Sequence, residues 1–240
     1  MYRYCVGGIN LKIKTAIVTG ASSGIGEAIA RKLAAENIQV VLVARSEAKL
    51  TALADELNAE SEAKAIAIPT DVSNQEEVEN MVKKAEETFG TIDMYVNNAG
   101  LMLDAAVTKG ALNQWEQMID VNIKGILYGL HQVIPNMIEQ KYGHIINISS
   151  VSGHEVTKVS TVYSATKFAV RAISMGLEKE LAHTGVKVTN VSPGMVDTRL
   201  IDGYKPNRKS LDASDIAEAI YYAISQPNHV NMNEITIRPV

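Results

Sequence analysis

Seven short apolar runs, separated by longer amphipathic stretches, set the tightest limit on what this chain can fold into. The runs are TAIVTG (15–20), VVLVA (40–44), AIAIP (65–69), MYVNN (94–98), HIINIS (144–149), KVTNVS (187–192) and EITIRP (234–239). Most carry Val and Ile at odd and even positions alike, the pattern of strands covered on both faces. Helical periodicity fills the intervals near 25–36, 46–59, 75–89, 112–139, 161–183 and 213–226. Strand–helix alternation of this kind predicts a doubly wound α/β fold: a parallel sheet, right-handed crossovers, and helices on both faces. Gly125 and Pro135 lie within the 112–139 pattern, which is expected to form one long helix with a disturbed end. No linker, internal repeat or shift of composition divides residues 12–240, which read as a single domain. Residues 1–11 read as a loose N-terminal arm.

Composition excludes several classes. The net charge of -4 over 240 residues argues against a nucleic-acid partner. No apolar run reaches the ~18–20 residues of a membrane helix, so a soluble protein with no membrane partner is expected. Cys5 is the only cysteine, which allows no internal disulfide and suits a cytoplasmic location. The five histidines (131, 144, 154, 183, 229) show no metal-ligand spacing, and no metal is expected.

The segment TGASSGIG follows the first strand and opens a helix, with glycines at 20, 24 and 26. Glycine lets the backbone turn sharply and approach a pyrophosphate, whose charge meets the free amides at the helix start. Gly20, Ser22, Ser23, Gly24, Ile25 and Gly26 are therefore candidate cofactor contacts, although Gly and Ser also make ordinary strand-to-helix turns. A dinucleotide site selecting NAD needs a carboxylate about 20 residues further on, at the end of the second strand. Ala44 and Arg45 stand there instead. An arginine would fork onto a 2′-phosphate, which favours NADP(H), with Ser46 assisting and Glu47 as the competing ribose ligand. Asp71, beside Val72 in TDVS, is placed to accept from the adenine amino group or to serve at a helix N-terminus. In NNAG (97–100), Asn97 and Asn98 are expected to bond neighbouring backbones. Ala99 and Gly100 are small enough to admit a ribose.

These segments, together with ISSVSG (148–153) and YSATK (163–167), resemble the single-domain branch of the short-chain dehydrogenase/reductase family over roughly residues 12–240. The resemblance implies a Rossmann fold with a seven-stranded sheet in the order 3-2-1-4-5-6-7. It assigns Asn122, Ser150, Tyr163 and Lys167 to catalysis. In SPGMVDT (192–198), it gives Pro193, Gly194, Val196 and Thr198 contacts to the nicotinamide, and Lys167 and Tyr163 contacts to its ribose. The reaction implied is hydride transfer between nicotinamide and a carbonyl or secondary alcohol.

The residue types suit that chemistry. Free tyrosine titrates near ~10, and a lysine one helical turn away is expected to favour the phenolate and lower that value. Ser150 would donate to the substrate oxygen and hold it against Tyr163. By resemblance, Asn122 anchors a proton relay to Lys167.

The C-terminal stretch DIAEAIYYAISQPNHVNMNEITIRP is similar to NADP-dependent 3-hydroxy acid dehydrogenases and related carbonyl reductases. That makes a 3-hydroxy acid or small ketone the expected substrate class. The segment RLIDGYKPNRKS (199–210) departs from the subgroup in being shorter. Pocket candidates are Met102, Ser152, His154, Val156, Met195 and Tyr204, with Lys205, Arg208 and Lys209 as possible anchors for a carboxylate. Surplus apolar residues on 112–139 and 161–183, among them Ile126, Leu127, Leu130, Phe168, Val170 and Ile173, suit subunit contact. The resemblance implies a homodimer or homotetramer through those helices. The competing class is a non-catalytic NADP(H)-binding sensor on the same fold, which needs the glycine loop and Arg45 but not the catalytic set.

Overall fold

The computed structural model describes residues 12–103, 105–158, 160–197 and 209–240. Seven strands form one parallel sheet: β1 Thr15–Thr19, β2 Gln39–Ala44, β3 Ala65–Pro69, β4 Met94–Asn97, β5 Gly143–Ile148, β6 Val186–Pro193 and β7 Glu234–Ile237. Their order is β3-β2-β1-β4-β5-β6-β7, so the direction of winding reverses between β1 and β4. The register pairs Val18 with Leu42 on one side and with Val96 on the other. The helices are α1 Gly24–Ala35, α2 Glu47–Glu60, α3 Gln75–Phe89, α4 Leu112–Ile119, α5 Gly125–Glu139, α6 Thr161–Glu180 and α7 Ala213–Ile224.

The central strands are apolar at most positions because both of their faces are covered. Ala16, Val18, Val40, Leu42, Met94, Val96 and Ile146 pack with residues of α1, α2 and α7. Their neighbours Ile17, Val41, Val43, Tyr95 and Ile145 point the other way, toward α3, α5 and α6. This is the period-2 alternation of a strand with a core on each side. α3 begins where the Asn74 side chain accepts from the amides of Glu76 and Glu77, at 3.0 and 3.3 Å.

The 112–139 segment departs from its expected form. Its disturbance is central: α4 and α5 are joined by a wide π turn at Asp120–Lys124. Pro135 lies inside α5 without ending it. The wide turn carries Asn122 into the interior, where it is buried. Further along α5, Gly129 lets the helix lie directly on the ring of Tyr95, where a Cβ would collide with the phenol oxygen.

The polar ends of the central strands are also resolved. Asn98 does bond backbone, with Nδ2 donating to Thr19 O at 2.9 Å. Asn97 differs from expectation: its Nδ2 donates to the Asn147 side chain at 2.9 Å, and Asn147 donates onward to Ser174 Oγ at 2.9 Å. This buried chain ties β4, β5 and α6 together.

The apolar surplus on the later helices divides. Ile126, Leu130 and Val170 belong to the core, whereas Leu127 and Phe168 are exposed, as are Leu112, Ile119, Ile138 and Met175. Among the described residues no helix is long and apolar enough to cross a membrane, and no group of His, Cys, Asp or Glu is placed to hold a metal ion.

Candidate active site

The carboxyl ends of the strands open into a cleft where the winding reverses, the place at which open α/β sheets receive ligands. It has two parts, of about 440 and about 240 Å³, which share Ile25, Asn98, Gly100 and Leu101.

The larger part is built around the glycine loop. Gly20 and Gly24 take φ of +68° and +59°, which L side chains rarely adopt. A Cβ on Gly26 would strike the Gly20 carbonyl, so the first turn of α1 can press on the loop only without one. Thr19 Oγ1 accepts from the amides of Asn98 and Ala99, at 2.9 and 3.0 Å, which locks the ends of β1 and β4 together beneath the loop. Gly20, Ser22, Ser23, Gly24 and Ile25 line the wall, and the free amides at the start of α1 face the same end of the sheet.

Arg45, Ser46 and Lys49 line the far end of this part, whereas Glu47 does not. Thr70, Asp71, Val72, Ala99 and Gly100 complete it, with Ala44 and Val121. One carboxylate oxygen of Asp71 accepts from Ser73 N at 2.9 Å and Ser73 Oγ at 2.7 Å. Burial disfavours its charge, but those two bonds and the nearby Arg45 outweigh it and hold Asp71 below the usual range. The Asp71 carboxylate is therefore ionised, with one oxygen already engaged.

The smaller part brings Ser150, Tyr163 and Lys167 together. Ser150 Oγ accepts from Ser152 N at 3.1 Å and caps a tight turn at Val151–Gly153. Lys167, a turn beyond Tyr163 on α6, donates from Nζ to Ile148 O at 2.8 Å and lies 5.8 Å from the centroid of the Tyr163 ring. Burial lowers Lys167 to about 8. Burial raises Tyr163, against the opposing effect of the Ser150 hydroxyl. The expectation that Lys167 lowers the phenol is thus not what this geometry gives: desolvation dominates both groups, and the tyrosine is held protonated.

Asn122 joins the site from the wide turn. Its Oδ1 accepts from Leu101 N, and its Nδ2 donates to Leu101 O, both at 2.9 Å, with a further bond to Thr166 Oγ1 at 3.0 Å. It fixes the Gly100–Leu101 backbone, the segment common to both parts of the cleft.

Among the pocket candidates, Met102, Ser152 and Met195 line the smaller part beside Pro193, Gly194 and Val196. His154 and Val156 lie elsewhere. The His154 ring is hydrogen-bonded to Ser192 and lies 3.0 Å from Glu234, and Val156 is exposed to solvent. Neither side chain lines the cleft. Thr198, Tyr204, Lys205 and Arg208 lie outside the described residues. Lys209 is exposed, 3.9 Å from Asp212.

Sequence reasoning passed over Lys49, Thr70, Leu101, Val121, Ile148, Ser149 and Val151 as lining residues. Lys49 carried a signal. It occupies the third position of α2, where the helix dipole disfavours a cation, so a cation there points to an anion nearby.

Known proteins place these features in context. Residues 14–209 match the short chain dehydrogenase family. An uncharacterized oxidoreductase of Staphylococcus aureus strain MW2 is 56% identical over 228 residues, covering 95% of this chain and 97% of that one. Among solved structures, the closed form of a serine dehydrogenase complexed with NADP+ superposes with a TM-score of 0.87 at 34% identity, covering 93% of this chain and 94% of that one. An alcohol dehydrogenase of the archaeon Thermococcus sibiricus, complexed with 5-hydroxy-NADP, gives 0.88 at 33% identity, covering 95% and 97%.

Proposed function

The chain belongs to the short-chain dehydrogenase family, and from that premise we propose that it is an NADP(H)-dependent oxidoreductase interconverting a carbonyl compound and a secondary alcohol. The observation that carries this reading is the continuity of the cleft: Ser150, Tyr163 and Lys167 line one part, Arg45 and Lys49 the other.

The residues present fit the cofactor. Arg45 and Lys49 would hold a 2′-phosphate, the glycine loop and the start of α1 the pyrophosphate, and Asn98 to Gly100 the adjoining ribose. The likeness to two structures complexed with NADP-type cofactors supports the same choice. Pro193, Gly194, Val196 and Thr198 are proposed for the nicotinamide end. When bound, the nicotinamide supplies or takes the hydride.

The chain's own residues manage the proton and the oxygen. Tyr163, kept protonated by burial, donates its proton to the carbonyl oxygen during reduction and recovers it from the alcohol during oxidation. The Lys167 ammonium is still charged at neutral pH and stabilises the phenolate as the proton leaves. Ser150 donates to the substrate oxygen and holds it in line with the phenol. Asn122 secures Leu101 and is proposed to anchor the relay that reprotonates Lys167.

Met102, Val151, Met195 and Val196 give the smaller part an apolar wall, which favours a small ketone or diketone. The likeness to serine dehydrogenase supports a 3-hydroxy acid as the second substrate class. The exposed Leu112, Ile119, Leu127, Ile138, Phe168 and Met175 support self-association through α4–α5 and α6 as a dimer or tetramer. A cytoplasmic location is proposed from the single cysteine.

The test is turnover of NADPH and NADP+ against a panel of ketones, diketones, aldehydes and hydroxy acids. Reduction of a carbonyl compound with NADPH preferred over NADH is the expected result. Tight NADPH binding with no turnover of any compound in either direction would instead make the protein a nucleotide sensor.

A further inference from the structure

The His154 side chain joins elements that lie far apart in the sequence. Its Nε2 is 3.0 Å from Glu234 Oε1 on β7 and 3.1 Å from Ser192 Oγ near the end of β6. A carboxylate oxygen only accepts, so a hydrogen on Nε2, shared between Ser192 and Glu234, is the arrangement that keeps two lone pairs from facing each other across 3.0 Å. Glu234 is held in turn by Arg171 of α6, with Nε at 3.0 Å from Oε1 and Nη2 at 3.3 Å from Oε2. Ser192 is fully buried, and its Oγ accepts from Asn190 Nδ2 at 3.0 Å. Tyr163, Lys167 and Arg171 follow one another at intervals of four on α6, so one stripe of that helix carries both the proposed acid and this network.

His154 also closes the turn that Ser150 opens. Gly153 N donates to Ser150 O at 2.8 Å, and His154 N donates to Val151 O at 3.0 Å. One side of the turn is already against α6: a Cβ on Gly153 would stand 2.8 Å from Lys167 O. The His154 ring fastens the other side to β6 and β7.

We propose that His154 is a positioning residue which, through its Nε2–H to Glu234 and Ser192, clamps the Ser150 turn so that the serine hydroxyl stays opposite Tyr163. The clamp touches no reacting atom. It rests on the reading of Ser150 given under the proposed function, and it reassigns His154 from substrate contact to support. A displacement near 1 Å at a reacting group costs up to about 100-fold in rate, so loss of the clamp should be felt in turnover. Both partners are a quarter to a third exposed, so the same loss should move global stability little.

The test compares His154→Phe, which keeps a ring without the N–H, with His154→Gln, which keeps an N–H donor. The probe reaction is reduction of 2,3-butanedione by NADPH, with a Tyr163→Phe control. We expect His154→Phe to lower kcat about tenfold or more, with KM for butanedione and Kd for NADPH within about twofold of the parent. His154→Gln should return kcat to within about threefold. The 15N shifts of the His154 ring in the unsubstituted protein should report hydrogen on Nε2. An unchanged kcat in His154→Phe overturns the clamp, as does a raised KM at constant kcat, which marks a substrate contact. A ring protonated on Nδ1 alone overturns it without reference to activity. If Tyr163→Phe instead turns over at the parental rate, the catalytic reading fails, and the ring shifts still decide the geometry of the clamp. Should His154→Phe not fold, His154→Gln against Glu234→Leu makes the same comparison: loss in the second and retention in the first supports the clamp, and equal rates overturn it.

Discussion

Lys167 of α6 donates from its Nζ to the carbonyl of Ile148, the last residue of β5, at 2.8 Å. The bond fixes a buried ammonium at the wall of the cleft, and burial lowers it to about 8. A charge kept in such a place costs stability, and the proposed reaction gives it a use. Under the proposed function, activity and folding therefore pull in opposite directions at this residue.

Replacing Lys167 by Met should separate them. Against its ordinary value of 10.5, a folded value of about 8 means that the folded chain binds fewer protons than the unfolded chain between those limits. The penalty is therefore full below about pH 8 and disappears as pH rises to about 10.5. It amounts to roughly 3 kcal/mol, less about 1–2 kcal/mol for leaving the Ile148 carbonyl unpaired. Lys167→Met should be about 1–2 kcal/mol more stable in urea at pH 7. Its advantage should be gone near pH 10.5, and turnover should fall at least about 100-fold at every pH.

Arg45 and Lys49 should act together on cofactor choice. A hydrogen bond to a charged group contributes about 1.5–3 kcal/mol. Arg45→Asp is expected to weaken NADPH about 10- to 100-fold and to bring NADH to parity or better. Lys49→Ala should weaken NADPH several-fold and leave NADH unchanged. Titration of both nucleotides by fluorescence checks this, and an unshifted preference in Arg45→Asp removes that residue from its role.

Asn122 fills the wide turn with one side chain that satisfies both the N–H and the C=O of Leu101. Asn122→Ala leaves both half-buried groups unpaired, so a loss of about 1–3 kcal/mol in urea is expected. Because Leu101 borders both parts of the cleft, NADPH affinity should fall in the same variant. Calorimetric titration measures that second effect.

The sheet was legible because most strands announce two covered faces: Ile17 and Val18 are both apolar and both buried, on opposite sides. Ser150, Tyr163 and Lys167, which line one part of the cleft together, were legible as a candidate catalytic set from spacing that resembles a family. The wide turn at Asp120–Lys124 was not, since one extra residue between α4 and α5 leaves helical periodicity intact on either side. Neither was the orientation of His154. Four residues past Ser150 it reads as a pocket residue, but its ring is engaged by Ser192 of β6 and lies against Glu234 of β7. Lys49 was readable in principle, as a cation set against a helix dipole.

The protonation of Tyr163 corrects the expectation drawn from Lys167 alone. One turn of helix brings the two together, but burial acts on both, raising the phenol and lowering the ammonium. The phenol is thus protonated near neutral pH, the form that the proposed reduction requires of a proton donor.

Single-turnover reduction of a carbonyl substrate by NADPH, in the parent and in Tyr163→Phe, tests this account most directly. Phe keeps the ring and removes only the proton. The account predicts a loss of about 1000-fold or more in the hydride-transfer rate, with NADPH affinity within about twofold of the parent. Parental rates in Tyr163→Phe would contradict it.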